Sequence, residues 1–190
     1  MSTEGKAKTI KEFEAAINEC RDIFIKKLDD YGTSWRVMRP SSITDQIFIK
    51  ARRIRSIEEK GMENALVNEG IKPEFIAIVN YGAIGLIQLS MDPETPIGKE
   101  EAIESYDKWI KESTRLMLNK NHDYDEAWRY MRISSITDII LQKIYRTKEI
   151  ESNHGKTKIS EGIDANYEDM INYALFAIIK LTENSNESVS

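Results

Sequence analysis

The chain has 190 residues, 41% apolar and 31% charged, with a formal net charge of −5. That balance supports a packed core and excludes a wholly disordered chain, and the acidic surplus argues against bulk nucleic-acid binding. A single cysteine, Cys20, excludes an internal disulfide and leaves only His122 and His154 to assist a soft-metal site.

The opening residues are polar and carry no apolar signal core, so a cytoplasmic location is expected, with residues 1–7 as a disordered tail. "TIKEFEAAINECRDIFIKKL" then sets Phe13, Ile17, Phe24 and Leu28 near helical spacing and predicts a first helix. After "DYGTSWRVMRP", the run "SSITD" predicts the start of a second. Ser42 reads as its N-cap, with Asp45 at the third helical position. Its apolar arc is Ile43, Ile47, Ala51, Ile54 and Ile57, and Lys50 and Glu58 fall within or beside that arc. The third helix is "PEFIAIVNYGAIGLIQL", with Pro73 suited to a first turn. It is apolar nearly all round, which predicts a buried central helix. It is too short for a clear membrane span, and Asn80 and Gln88 interrupt it.

"SMDPETPIGKEE" carries two prolines and a glycine, as a linker should, and beyond it the chain starts again. "DYDEAWRYMRISSITD" at 123–138 repeats "DYGTSWRVMRPSSITD" at 30–45, an offset of 123 − 30 = 93. Over 27–59 against 120–152 there are 17 identities in 33 positions. Farther on the offset becomes 92, so that Asn80-Tyr81 meets Asn172-Tyr173. The predicted architecture is all-α: two tandem three-helix repeats, 8–90 and 98–183, packed as an internal pseudo-dimer helical bundle. A second disordered tail is expected at 184–190.

Three features bear on chemistry. Lys50 and Glu58, with Lys143 and Glu151 in the second copy, put charge on an apolar face; either a polar cavity lies there, or the lysines reach past the core edge and the glutamates sit at frayed helix ends. Arginines cluster around the second helix: Arg36, Arg39 and Arg53 in the first copy, Arg129, Arg132 and Arg146 in the second. Their forks suit phosphate oxygens, although a basic run is more often a solvated face with salt bridges. Trp35 and Trp128 are either base-stacking surfaces or core plugs. The third feature is unequal. Asp169, Asn172, Tyr173 and Phe176 form one helical stripe, and its first-copy counterpart is Ala77, Asn80, Tyr81 and Ile84. Glu161 and Asp169, joined by Asp123 or Asp138, would suit Mg²⁺, which takes carboxylate and water ligands. On that reading the second copy is the competent one. The plainer alternative is that Glu168 and Asp169 only favour a helix N-terminus.

"KKLDDYGTSWRVMR" with "SSITDQIFIKARRIRSIEE", and "KNHDY" with the later "EGI…D…NY" pattern, resemble the nucleotide modification associated domain 1 family, and two copies would cover nearly the whole chain. The resemblance implies an all-helical fold and a link to nucleotide metabolism or base modification. It maps a K-x-x-D-Y element onto Lys27, Asp30 and Tyr31, and onto Lys120, Asp123 and Tyr124. A Glu…Asp…Asn-Tyr element maps onto Glu161, Asp169, Asn172 and Tyr173, and in the first copy onto Glu69, Asn80 and Tyr81, with Ala77 departing from it. A more distant likeness is to the all-α nucleoside triphosphate pyrophosphohydrolases of the MazG-like and dimeric dUTPase-like kinds, whose paired E-x-x-E and E-x-x-D spacings are not both present here. The expected function is nucleotide binding, extended by Mg²⁺-dependent phosphoanhydride hydrolysis. The alternative is a non-enzymatic nucleotide-sensing or protein-interaction module. The expected partner is a small-molecule nucleotide, without a membrane, and a homodimer is the assembly to test.

Overall fold

The periodic apolar positions close into six helices. The computed structural model describes residues 3–61, 70–92, 95–124 and 126–187, and their side chains except those at 3, 4, 6, 116, 118–124, 186 and 187. The helices are α1 (Thr3–Tyr31), α2 (Pro40–Lys60), α3 (Lys72–Ser90), α4 (Lys99–Tyr124), α5 (Ile133–Ser152) and α6 (Ile163–Glu187). Short 3-10 turns at Ser34–Val37 and Ala127–Tyr130 precede α2 and α5. Among the described residues there is no strand, and no helix is long and apolar enough to cross a membrane.

The fold is the expected pair of three-helix repeats, α1–α3 and α4–α6. The third helices of the two repeats, α3 and α6, lie against each other at the centre, with α2 and α5 packed on them and on each other. Phe75, Ile78, Val79, Ala83 and Ile87 of α3 are fully buried, as are Tyr167, Met170, Ile171 and Ala174 of α6. The close approach is set by small residues. A Cβ at Gly82 would stand 2.7 Å from the Ile171 side chain, and one at Gly85 2.8 Å from the Tyr167 ring. Ala174 and Ala177 hold the matching positions of α6.

An approximate two-fold relation between the repeats shows in reciprocal contacts. Asn80 donates its side-chain amide to the Cys20 carbonyl at 3.1 Å, and Asn172 donates to the Ser113 carbonyl at 3.0 Å. Cys20 and Ser113 are 93 apart, Asn80 and Asn172 are 92 apart, so these are one contact made twice.

Helix boundaries depart from the sequence reading in two ways. Ser42 is not the N-cap of α2. Arg39 takes that place in extended geometry with Pro40 in the first turn, because proline's fixed φ and missing N–H suit that position. The matching cap of α5 is Arg132. At the ends, residues 3–7 and 184–187 are helical rather than tails. Contacts of Lys8 with Glu12 and Glu183 and of Thr9 with Glu126 tie these helix ends together, while 1–2 and 188–190 lie outside the described residues.

Candidate nucleotide-binding cavity

A cavity of about 420 Å³ opens in the first repeat between the C-terminal half of α1, the 3-10 turn and the middle of α3. Its walls follow from helical spacing. From α1, Phe24, Lys27, Leu28 and Tyr31 face it at intervals of three and four; from α3, Ala77, Asn80, Tyr81 and Ile84 do the same. Gly32 ends α1 with a positive φ of 61°, which turns the chain so that Ser34, Trp35, Val37 and Met38 complete the lining.

The floor is rigid. Asn80 is buried, donates to the Cys20 carbonyl, and accepts from the Tyr106 hydroxyl at 2.7 Å. Tyr106 comes from the other repeat and stacks on Phe24 at 4.3 Å. The 3-10 turn is held from behind. Arg36, only 6% exposed, donates to Gln88 and to the Asp92 and Thr95 carbonyls, and Gln88 donates back to the Arg36 carbonyl at 3.1 Å.

The mouth is nearly neutral. Lys27 is the one charged side chain among the lining residues, and Asp30 follows it on the exposed side of α1. Burial, then Tyr81 and then Asp30, push the Tyr31 phenol above its ordinary value, so it stays a neutral hydrogen-bond donor. The Trp35 indole N–H is buried with no protein acceptor, although its ring is cavity lining. Cys20, behind the floor, is no nucleophile at neutral pH, because burial pushes its thiol up to about 12.

The profile of the family described as Nucleotide modification associated domain 1 matches residues 27–89 and 120–181. The chain belongs to this family. One matched segment falls in each repeat, taking in only the end of α1 or α4, and the first begins at the cavity residue Lys27. No curated protein and no solved structure matches the chain.

Within this nucleotide modification associated domain pair, the nominated residues separate into groups. Lys27, Tyr31, Trp35 and Asn80 share the cavity, joined by the rest of the Ala77–Asn80–Tyr81–Ile84 stripe. Asp30 lies beside it. Arg39 and Arg132 are exposed helix caps. Lys50 and Arg53 both pair with Glu74, whose side chain is 5% exposed. Arg129 sits in an ion-pair network with Glu12, Glu126 and Glu183 and lies 4.4 Å over Trp128. Burial opposes its charge, but the Glu126 and Glu12 carboxylates outweigh that and raise its pKa. Arg146 lines a shallow surface cleft on α5. Asn172 repeats the role of Asn80, but its side-chain oxygen has no partner, because Phe13 stands where Tyr106 does in the other half.

Asp169 is paired with Lys143 at 2.5 Å, Asp138 with Arg55 at 3.4 Å, and Glu161 is exposed ahead of α6. The side chains of Lys120, Asp123 and Tyr124, and all of Glu69, lie outside the described residues. The second repeat's stripe differs at two cavity positions: Asp169 replaces Ala77, and Phe176 replaces Ile84 and stacks on Trp128 at 4.5 Å.

Sequence reasoning missed Phe24, Leu28, Ser34, Val37 and Met38. The first two carried a usable signal, since they stand three before and one after Lys27 and so share its side of α1. The 3-10 turn residues carried none, because their placement depends on the Arg36–Gln88 clamp between segments far apart in the chain.

Proposed function

We propose that this protein binds a nucleotide through its base in the first-repeat cavity, as a binding module of nucleotide metabolism or base modification. The observation that carries the reading is one concave site walled by Phe24, Trp35 and the two phenols Tyr31 and Tyr81, with Lys27 at its edge. Aromatic faces suit a flat heterocycle, phenols offer hydrogen bonds to its edge, and a lysine suits an anionic group. The cavity volume is in the range of small-ligand sites. Membership of a nucleotide modification associated family supports the same ligand class.

Among the described residues the lining includes no carboxylate and no activated nucleophile, which favours binding over hydrolysis. Mg²⁺-dependent turnover is the competing outcome of the same experiment. Isothermal titration with a panel of nucleotides, each with Mg²⁺ and with chelator, is expected to find binding that does not need the metal. Trp35→Leu is expected to weaken it at least tenfold while the circular dichroism spectrum is kept. Absence of binding across the panel, or full binding by Trp35→Leu, would overturn the reading; phosphate release dependent on Mg²⁺ would convert it to an enzyme.

A further inference from the structure

We propose that the ligand of this cavity is a nucleoside or nucleoside monophosphate rather than a di- or triphosphate, an inference that rests on the nucleotide reading above. Polyphosphates are held by several converging cations, by helix N-termini, or by both. Among the described residues this cavity's lining has neither. Lys27 is the one cation among them, and Asp30 stands three residues on. The helix end at its mouth is the C-terminus of α1, closed by the Gly32 N–H on the Leu28 carbonyl at 2.9 Å. A helix C-terminus carries partial negative charge and repels an anion. The other helix contributes its middle, from Ala77 to Ile84, where no N–H is left over.

Several other cations around this half are engaged elsewhere, while Arg39 is an exposed helix cap. Lys50 and Arg53 meet Glu74. Arg36 is fixed on Gln88 and two carbonyls, with its face turned to structure rather than to a ligand. Arg55 pairs with Glu59 and Asp138, and Lys99 with Asp29. One lysine matches one phosphate, and each further phosphate would meet no second cation among the described lining residues.

The test is a matched series for each base: nucleoside, monophosphate, diphosphate and triphosphate, titrated into the full chain at fixed ionic strength, with Mg²⁺ and with chelator. Nucleoside and monophosphate are expected to bind, the monophosphate about twofold to fivefold more tightly, which is the scale of a single exposed ion pair. The second and third phosphates are expected to add nothing or to weaken binding. Lys27→Gln is expected to erase the monophosphate's advantage over the nucleoside. A triphosphate that binds ten times more tightly than the monophosphate overturns the proposal and leaves base binding standing. A series in which no member binds overturns the nucleotide reading, and this proposal with it.

Discussion

Thr44 of α2 donates its hydroxyl to the carboxylate of Glu151 in α5 at 2.7 Å. Thr137 of α5 makes the same contact in return, to Glu58 of α2 at 2.9 Å. Ninety-three residues separate Thr44 from Thr137, and Glu58 from Glu151, so this is one contact written twice across the approximate two-fold axis. Around it Arg55 meets Asp138 and Lys148 meets Asp45, again a matched pair. The glutamates that looked misplaced on an apolar helix face are therefore part of the seam between repeats, whereas Lys50 and Lys143 pair within their own repeats with Glu74 and Asp169.

That seam predicts a pH effect. Burial first, and Asp138 or Asp45 next among the raising causes, lift Glu58 and Glu151 above the ordinary 4.5, against the lowering hydrogen bonds from Thr137 and Thr44. The folded state thus holds these protons more tightly than the unfolded chain. Their contribution to stability is present below the ordinary carboxylate value and falls as pH rises through the raised one. Glu58→Gln with Glu151→Gln is expected to flatten this part of the pH–stability curve and to be at least as stable at pH 7. Urea unfolding at several pH values checks it; a double variant with unchanged pH dependence would contradict the assignment.

The Asn80–Tyr106 bond predicts an asymmetry between the halves. Tyr106→Phe leaves the buried Asn80 oxygen without its donor, and an unmet buried acceptor costs about 1–3 kcal/mol. The reverse change in the other half, Phe13→Tyr, offers a hydroxyl to the orphaned Asn172 oxygen and is expected to stabilise by about 1 kcal/mol. Thermal melts of the two variants should move in opposite directions. Two shifts in the same direction would show that the repeats are not equivalent here.

The centre of the bundle predicts intolerance at Gly85. A Cβ there would sit 2.8–2.9 Å from the Tyr167 ring, inside contact distance. Tyr167 cannot retreat freely, since its hydroxyl is 2.7 Å from that of Thr44 and donates to the Pro40 carbonyl at 3.0 Å. Gly85→Ala should therefore destabilise by about 1–3 kcal/mol despite the helix preference for alanine. Gly85→Ala combined with Tyr167→Phe should recover part of that loss, because the ring is then released from its tether. A denaturant midpoint for the double variant no higher than for the single one would mean that the tether is not what fixes the ring.

Much of this was legible in the sequence because repetition exposes it. The offset of 93 located both repeats, and the apolar run of α3 announced the central helix. The Ala77–Asn80–Tyr81–Ile84 stripe is a true cavity wall, since helical spacing alone places those four on one side. What stayed hidden depended on partners far along the chain. Nothing near Arg36 shows that Gln88 and the linker carbonyls take up its guanidinium, and nothing near Glu58 shows that Thr137 will face it. A basic run in sequence has no fixed direction; only the fold divides it into clamps, seams and caps.

The carboxylate that serves the α2 and α5 lysines has moved along its helix, and this gives the sharpest test of the cavity. Lys50 meets Glu74 at 3.3 Å, whereas Lys143 meets Asp169. The second-repeat match of Glu74 is Asn166, and the first-repeat match of Asp169 is Ala77, so the acid lies one helical turn later in the second repeat. Glu74→Asn alone removes the carboxylate partner of Lys50 and one partner of Arg53 and should cost about 1–3 kcal/mol, less than a fully buried pair because both cations are about a third exposed. Adding Ala77→Asp rebuilds the second-repeat arrangement and should restore at least half of that stability. It also places a carboxylate in the cavity wall, so nucleoside affinity should drop at least tenfold in the same well-folded protein. Stability regained with affinity intact would put the ligand elsewhere; affinity lost without stability regained would break the equivalence of the two lysine sites.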